Sequence, residues 1–108
     1  MRIVILIITT WMIALGGFTQ EDSLFEAGNK AYAAQDFEGA INAYSKILAT
    51  EKKSAALYYN LGNAYFKQDE LGEAIWAYEK ALEINPSDEN ARFNLSFANA
   101  KTYDQLDF

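Results

Sequence analysis

Glu26, Asp36, Glu70 and Glu73 are the carboxylates best suited to acid–base work, yet none stands at a spacing that sets a proton donor against an acceptor. They read as turn residues and exposed helix charges. The chain has no His, which removes the commonest general base and transition-metal ligand, and no Cys, which removes thiolate chemistry and disulfides. No glycine-rich phosphate loop is present. The inventory therefore points away from an enzyme and calls for no metal or cofactor. A balance of 9 basic to 15 acidic residues, net −6, repels phosphate backbones and disfavours nucleic acid as a partner. Most of those charges are scattered through helical patterns and read as solvated faces.

The 108 residues suffice for one small domain with a modest core. The opening stretch, MRIVILIITTWMIALGGFTQ, differs from the rest. Arg2 precedes an apolar run from Ile3 to Leu15, broken only by Thr9 and Thr10, and small residues follow at Gly16, Gly17 and Thr19. This is the layout of a secretory signal peptide over residues 1–19, with the cut expected between Thr19 and Gln20. An uncleaved anchor is the alternative, because Ile3 to Phe18 is only slightly short of the about 20 residues a spanning helix needs. Either outcome predicts export, to the periplasm or the periplasmic face of the inner membrane. Membrane contact is then expected only through a retained N-terminus or a downstream segment.

Beyond that stretch the chain repeats itself. Gly28 and Gly62 lie 34 residues apart, as do Asn29 and Asn63, Ala40 and Ala74, Tyr44 and Tyr78, and Leu48 and Leu82. A fixed period of this length marks stacked supersecondary units. The units run over 21–54 and 55–88, and residues 89–108 supply a terminal or capping helix that could open a third. In the second unit, Tyr58, Leu61, Gly62, Tyr65, Ala74, Tyr78, Ala81 and Pro86 occupy the signature places of a tetratricopeptide repeat, which the chain thus resembles. The first unit is looser. It keeps Gly28, Ala40 and Tyr44, shifts its aromatic to Tyr32, and has Ile47 and Lys52 at the Ala and Pro places.

The hydrophobic pattern agrees. It predicts helices over about 54–67 and 70–84 in the second unit, with Leu57, Tyr58, Leu61 and Tyr65 on one stripe of the first. Gly62 is expected to sit opposite Ala74 and let two backbones approach, with Tyr58 and Tyr65 filling the gaps alongside. Gln35-Asp36 and Gln68-Asp69 are the expected hairpin turns. Asn85-Pro86 should stop the second helix and Ser87 should cap the next. The expected fold is all-α: a right-handed solenoid of helix-turn-helix repeats, two complete plus one terminal helix.

The resemblance implies a protein-binding role on the concave face formed by the first helix of each unit. Its groove positions fall on Phe25, Asn29 and Tyr32, on Tyr59, Asn60, Asn63 and Phe66, and on Asn90, Phe93, Asn94 and Phe97. The family's carboxylate clamp grips a chaperone tail with cations and asparagines. Asn29 and Asn60 match its asparagine places, but Phe25, Asn90 and Asn94 fill its cation places, so a chaperone-tail receptor is not expected. What remains is amide groups that can pair with a peptide backbone as donor and acceptor, set among aromatic rings. An uncharged stretch of partner protein, extended or helical, is the expected occupant, with Phe93 and Phe97 equally able to pack between repeats.

The last helix, ENARFNLSFANAKTYDQLDF, stays apolar to its final residue and carries no strong cap. A solenoid flank of this kind invites association, so the chain should pair with itself or a partner there, or continue. The leader, the Asn-Pro-Ser-Asp ending and the stretch ARFNLSFANAKTYDQL together resemble the tetratricopeptide protein of the Bacteroidetes aerotolerance (Bat) operon. That resemblance implies work beside von Willebrand A-type proteins at the cell envelope. It rests on the tail after Pro86.

Overall fold

The computed structural model describes residues 19–50 and 52–106. They form five α-helices: α1 Gln20–Ala33, α2 Phe37–Leu48, α3 Ala55–Lys67, α4 Leu71–Ile84 and α5 Glu89–Gln105. Each helix packs on the next in sequence, and α1, α3 and α5 also touch in succession. This is the expected all-α array of helix-turn-helix repeats, with α3 and α4 within a residue of their predicted bounds. The leader and anchor reading of residues 1–18 lies outside the described residues. Among the described residues no helix is long and apolar enough to cross a membrane.

Local chemistry sets the helix ends. Thr19 caps α1 in a reciprocal box with Asp22, and the side chains of Asp36 and Ser54 accept from the amides of Gly39 and Leu57. A cut between Thr19 and Gln20 would remove the first of these caps. The N-cap of α5 is Asp88, whose side chain accepts from the Ala91 amide at 3.1 Å. Ser87, expected in that role, instead donates to the Asn85 side chain. Asn85 leaves the helical region, as a residue before proline must. Within each hairpin the left-handed position falls on Gln35 (φ 61°) and Asp69 (φ 60°), with Asp36 and Glu70 as N-caps. The amides of Asp36 and Glu70 reach back to the carbonyls of Ala31 and Tyr65, closing the same Schellman turn twice. The turns therefore repeat at 34 residues; pairing Gln35-Asp36 with Gln68-Asp69 is one residue out of register.

The core runs along the array in three linked clusters. Tyr44, Leu57 and Leu61 anchor the first, Tyr58 with Ala81 and Ala91 the second, and Ala74, Tyr78 and Ala98 the third. What lies nearest the repeat glycines is an aromatic ring from the second helix, where Ala74 was expected opposite Gly62. A Cβ on Gly62 would lie 2.7 Å from the Tyr78 ring, and one on Gly28 would collide with the Tyr44 ring. The missing side chain on the first helix is filled by an aromatic ring from the second. Tyr58 lies edge-on to Trp76 at 5.7 Å and packs with Ala81 and Ala91.

Candidate binding groove

The side chains on the shared face of α1, α3 and α5 are held by a hydrogen-bonded ladder that crosses repeats. The Tyr44 hydroxyl donates to Asn29 Oδ1 at 2.6 Å, and Asn60 Nδ2 donates to the same oxygen at 3.3 Å. One repeat on, the Tyr78 hydroxyl donates to Asn63 Oδ1 at 2.6 Å and Asn94 Nδ2 donates to it at 2.9 Å. Asn94 Nδ2 also donates to the Tyr59 hydroxyl at 3.2 Å. An amide oxygen has two lone pairs, so Asn29 and Asn63 have no acceptor capacity left and present only N–H donors. Asn94 has both N–H groups engaged and presents only Oδ1. Asn60 presents Oδ1 and one N–H. The groove thus offers a fixed pattern of donors and acceptors.

Burial shapes the phenols. It pushes the Tyr44 hydroxyl up to about 12, with the nearby Tyr32 phenol adding to the rise. Burial likewise raises Tyr78 well above the ordinary tyrosine range, and it raises Tyr32, with Tyr59 contributing. All stay protonated at neutral pH, which keeps Tyr44 and Tyr78 as the donors that orient the asparagines. Among the described residues the Tyr32 hydroxyl makes no hydrogen bond, while those of Tyr44, Tyr59 and Tyr78 each make one.

Two pockets open along this face. One of about 160 Å³ is lined by Asn29, Tyr32, Tyr44, Asn60 and Asn63. The other, about 310 Å³, is lined by Tyr32, Tyr59, Asn63, Phe66, Lys67, Tyr78, Asn94 and Phe97. Tyr32 and Asn63 belong to both, so the pockets join into one groove. The structure therefore brings together Asn29, Tyr32, Tyr59, Asn60, Asn63, Phe66, Asn94 and Phe97. Phe25 lies apart. Its ring packs on Tyr44 at 5.8 Å and lines a different cleft with Glu21, Asp22, Lys52 and Lys53. Phe93 lines neither pocket; it is 68% exposed and stacks on Phe97 at 6.4 Å, while Asn90 is simply exposed. The sequence reading missed Tyr44, Tyr78 and Lys67. The tyrosines recur at 34 residues but read as packing alone, because only the fold shows that a buried ring lifts its hydroxyl into the groove. No group of side chains among the described residues could hold a metal ion.

A family profile for the tetratricopeptide repeat matches residues 55–88, and a second, for the TPR repeat, matches 28–69. The chain is a tetratricopeptide-repeat protein. It is 40% identical over 73 residues to "Protein unc-45 homolog B" of Xenopus laevis, across 65% of this chain and 8% of the relative. It is 36% identical over 78 residues to human "Tetratricopeptide repeat protein 12", across 72% of this chain and 11% of the relative. It is also 35% identical over 71 residues to "Small glutamine-rich tetratricopeptide repeat-containing protein 2" of Saccharomyces cerevisiae, across 66% and 20%. The chain spans between 8% and 20% of the length of these relatives. They share the repeat, which is a protein–protein interaction module. Tetratricopeptide domains are typically non-catalytic, and their partners are proteins.

Proposed function

We propose that this chain is an adaptor whose α1–α3–α5 groove holds a segment of a partner protein, by apolar contact with Tyr32, Phe66 and Phe97 and by pairing of its backbone with the asparagine ladder. The observation that carries this reading is that each ladder asparagine lines the groove and engages only part of its amide within the ladder, leaving the rest for a ligand. Backbone N–H and C=O groups would meet Asn60 and Asn94 oxygens and Asn29 and Asn63 N–H groups. Selection of a displayed heptapeptide library against the full chain tests it. Enriched peptides should lose binding to an Asn63→Asp, Asn94→Asp double variant that keeps its helical circular dichroism. Peptides that bind both proteins equally would refute it.

The setting we propose is the bacterial cell envelope, with export directed by residues 1–19 and an aerotolerance-type complex containing von Willebrand A-type proteins. Support comes from the leader pattern and from the tail after Pro86. A phosphatase fused behind residue 108, active only outside the cytoplasm, should need residues 1–19 for activity; activity without them would count against export. A second reading, self-association, is favoured by the exposure of Phe93 (68%), Tyr103 (80%) and Leu106 (62%) on α5. Light scattering should then give a mass that rises with concentration and falls back on Phe93→Ser. A mass independent of concentration removes this reading.

A further inference from the structure

The larger pocket carries a charge that the ladder does not use. Lys67 ends α3 at its rim, it is exposed, and the ion pairs among the described residues are Lys80–Glu83 and Lys101–Asp69, so Lys67 is in neither. No carboxylate lines either pocket of the groove, although the chain as a whole is net −6. Lys101 lies 5.1 Å over the Phe66 ring of the same wall, but its charge is already matched by Asp69 at 3.1 Å, which leaves Lys67 as the cation the pocket can offer a ligand. The groove is thus a neutral-to-positive strip on an acidic protein. That arrangement favours an acidic ligand both in approach and in place.

The other walls define what accompanies the acid. Tyr32, Tyr59, Phe66, Tyr78 and Phe97 enclose a space of about 310 Å³, room for a large apolar side chain. Rings of this kind can also hold a cation such as a methylated lysine. Here Lys67 would repel it, and no lining carboxylate would offset that. Tyr32, at the junction of the pockets with its hydroxyl unengaged, can donate to a carbonyl of a chain passing from one pocket to the other.

Resting on the groove reading above, we infer that the bound segment is an apolar–acidic motif: a large apolar side chain seated among the rings of the larger pocket, with an adjacent Asp or Glu paired to Lys67. Lys67 is the residue that selects the acid. This differs from recognition of a chain-terminal carboxylate, because the acid is a side chain and the segment can lie anywhere in the partner.

The test uses the full chain and end-blocked peptides that carry Phe followed by Glu, Gln, Lys or trimethyl-lysine in a Gly/Ser background, read by fluorescence anisotropy. The Glu peptide should bind about two- to fivefold more tightly than the Gln peptide, the size expected of one exposed ion pair, and the gap should shrink as salt rises. Lys67→Gln should erase the difference, and Lys67→Glu should invert the order of the Glu and Lys peptides. Lys67 is exposed, so these variants leave the fold intact. Binding of Glu and Gln peptides with equal affinity, or an acid preference unchanged in Lys67→Glu, would overturn the motif and leave the groove reading standing. Preference for trimethyl-lysine would overturn it in favour of a cation cage. Failure of every peptide to bind, together with no library enrichment sensitive to the Asn63→Asp, Asn94→Asp pair, would sink both.

Discussion

The Tyr44 hydroxyl donates to Asn29 only while it holds its proton, so the ladder has a pH limit with a definite sign. An unfolded tyrosine titrates near about 10, whereas burial holds Tyr44 up to about 12 in the fold. Between those values the unfolded chain releases a proton that the folded chain retains, and stability falls as pH rises. The contribution is complete below the unfolded value and gone above the folded one. Tyr78, Tyr32 and Tyr65 are raised in the same direction by burial and act with the same sign. Urea midpoints should therefore hold up to the unfolded tyrosine value near about 10 and fall as pH rises from there towards about 12. Tyr44→Phe should flatten that drop while costing about 1 kcal/mol at neutral pH for the lost hydrogen bond. An unchanged slope would show that Tyr44 does not carry the effect. The residue types were legible in the chain: Asn29 and Asn63 stand out by their spacing. Their division into donors and acceptors was not, because each oxygen is occupied by a hydroxyl 15 residues on and an amide 31 residues on. Only packing makes those neighbours.

At the scale of the element, α1 and α3 each give up a side chain so that a ring from α2 or α4 can lie against the helix backbone. Gly62→Ala would put a methyl group into the Tyr78 ring. It should destabilise the protein by about 1–3 kcal/mol, the usual range for an overpacked core, as read from the urea midpoint. Because Tyr78 would move, its hold on Asn63 and hence peptide binding should weaken together with stability. A neutral Gly62→Ala would mean that the ring has room to retreat. At the other end of α4 the helix caps distinguish two neighbouring residues. Asp88→Ala should cost about 1 kcal/mol and Ser87→Ala much less, because only Asp88 accepts from the first turn of α5. Both residues belong to the preferred capping types, so the sequence alone did not choose between them. The backbone does, because Asp88 is the extended residue immediately before α5 and its side chain reaches the Ala91 amide. The hairpin turns were legible as turns yet slipped by one residue for a similar reason. Gln-Asp occurs in both, but the Schellman geometry fixes the left-handed residue by counting from the helix end, which selects Gln35 and Asp69.

Across the whole molecule each helix is stabilised chiefly by its sequence neighbours, so the array behaves as a row of coupled units whose outer members open first. The helix α5 packs on α4 and, lightly, on α3, and its last turns are tied back by the hairpin between them. Lys101 Nζ lies 3.1 Å from Asp69 Oδ1, and Gln105 Nε2 donates to both carboxylate oxygens. Those bonds, Lys101 first and then Gln105, hold the Asp69 carboxyl below its ordinary value. The tie is therefore complete above the unfolded carboxylate range and is lost as pH falls through the lowered folded value. Being exposed, it should also weaken with salt. Asp69→Asn separates charge from backbone geometry, since asparagine accepts the left-handed conformation as readily as aspartate does. In hydrogen exchange, Asp69→Asn should speed the amides of the last two turns of α5 and leave those of α1 untouched. High salt should do the same to the unsubstituted protein and nothing further to the variant. Because Phe97 and Asn94 sit on α5 and complete the larger pocket, the variant should also bind groove peptides less tightly. Faster exchange without weaker binding would place the groove end of α5 outside the unit that Asp69 secures.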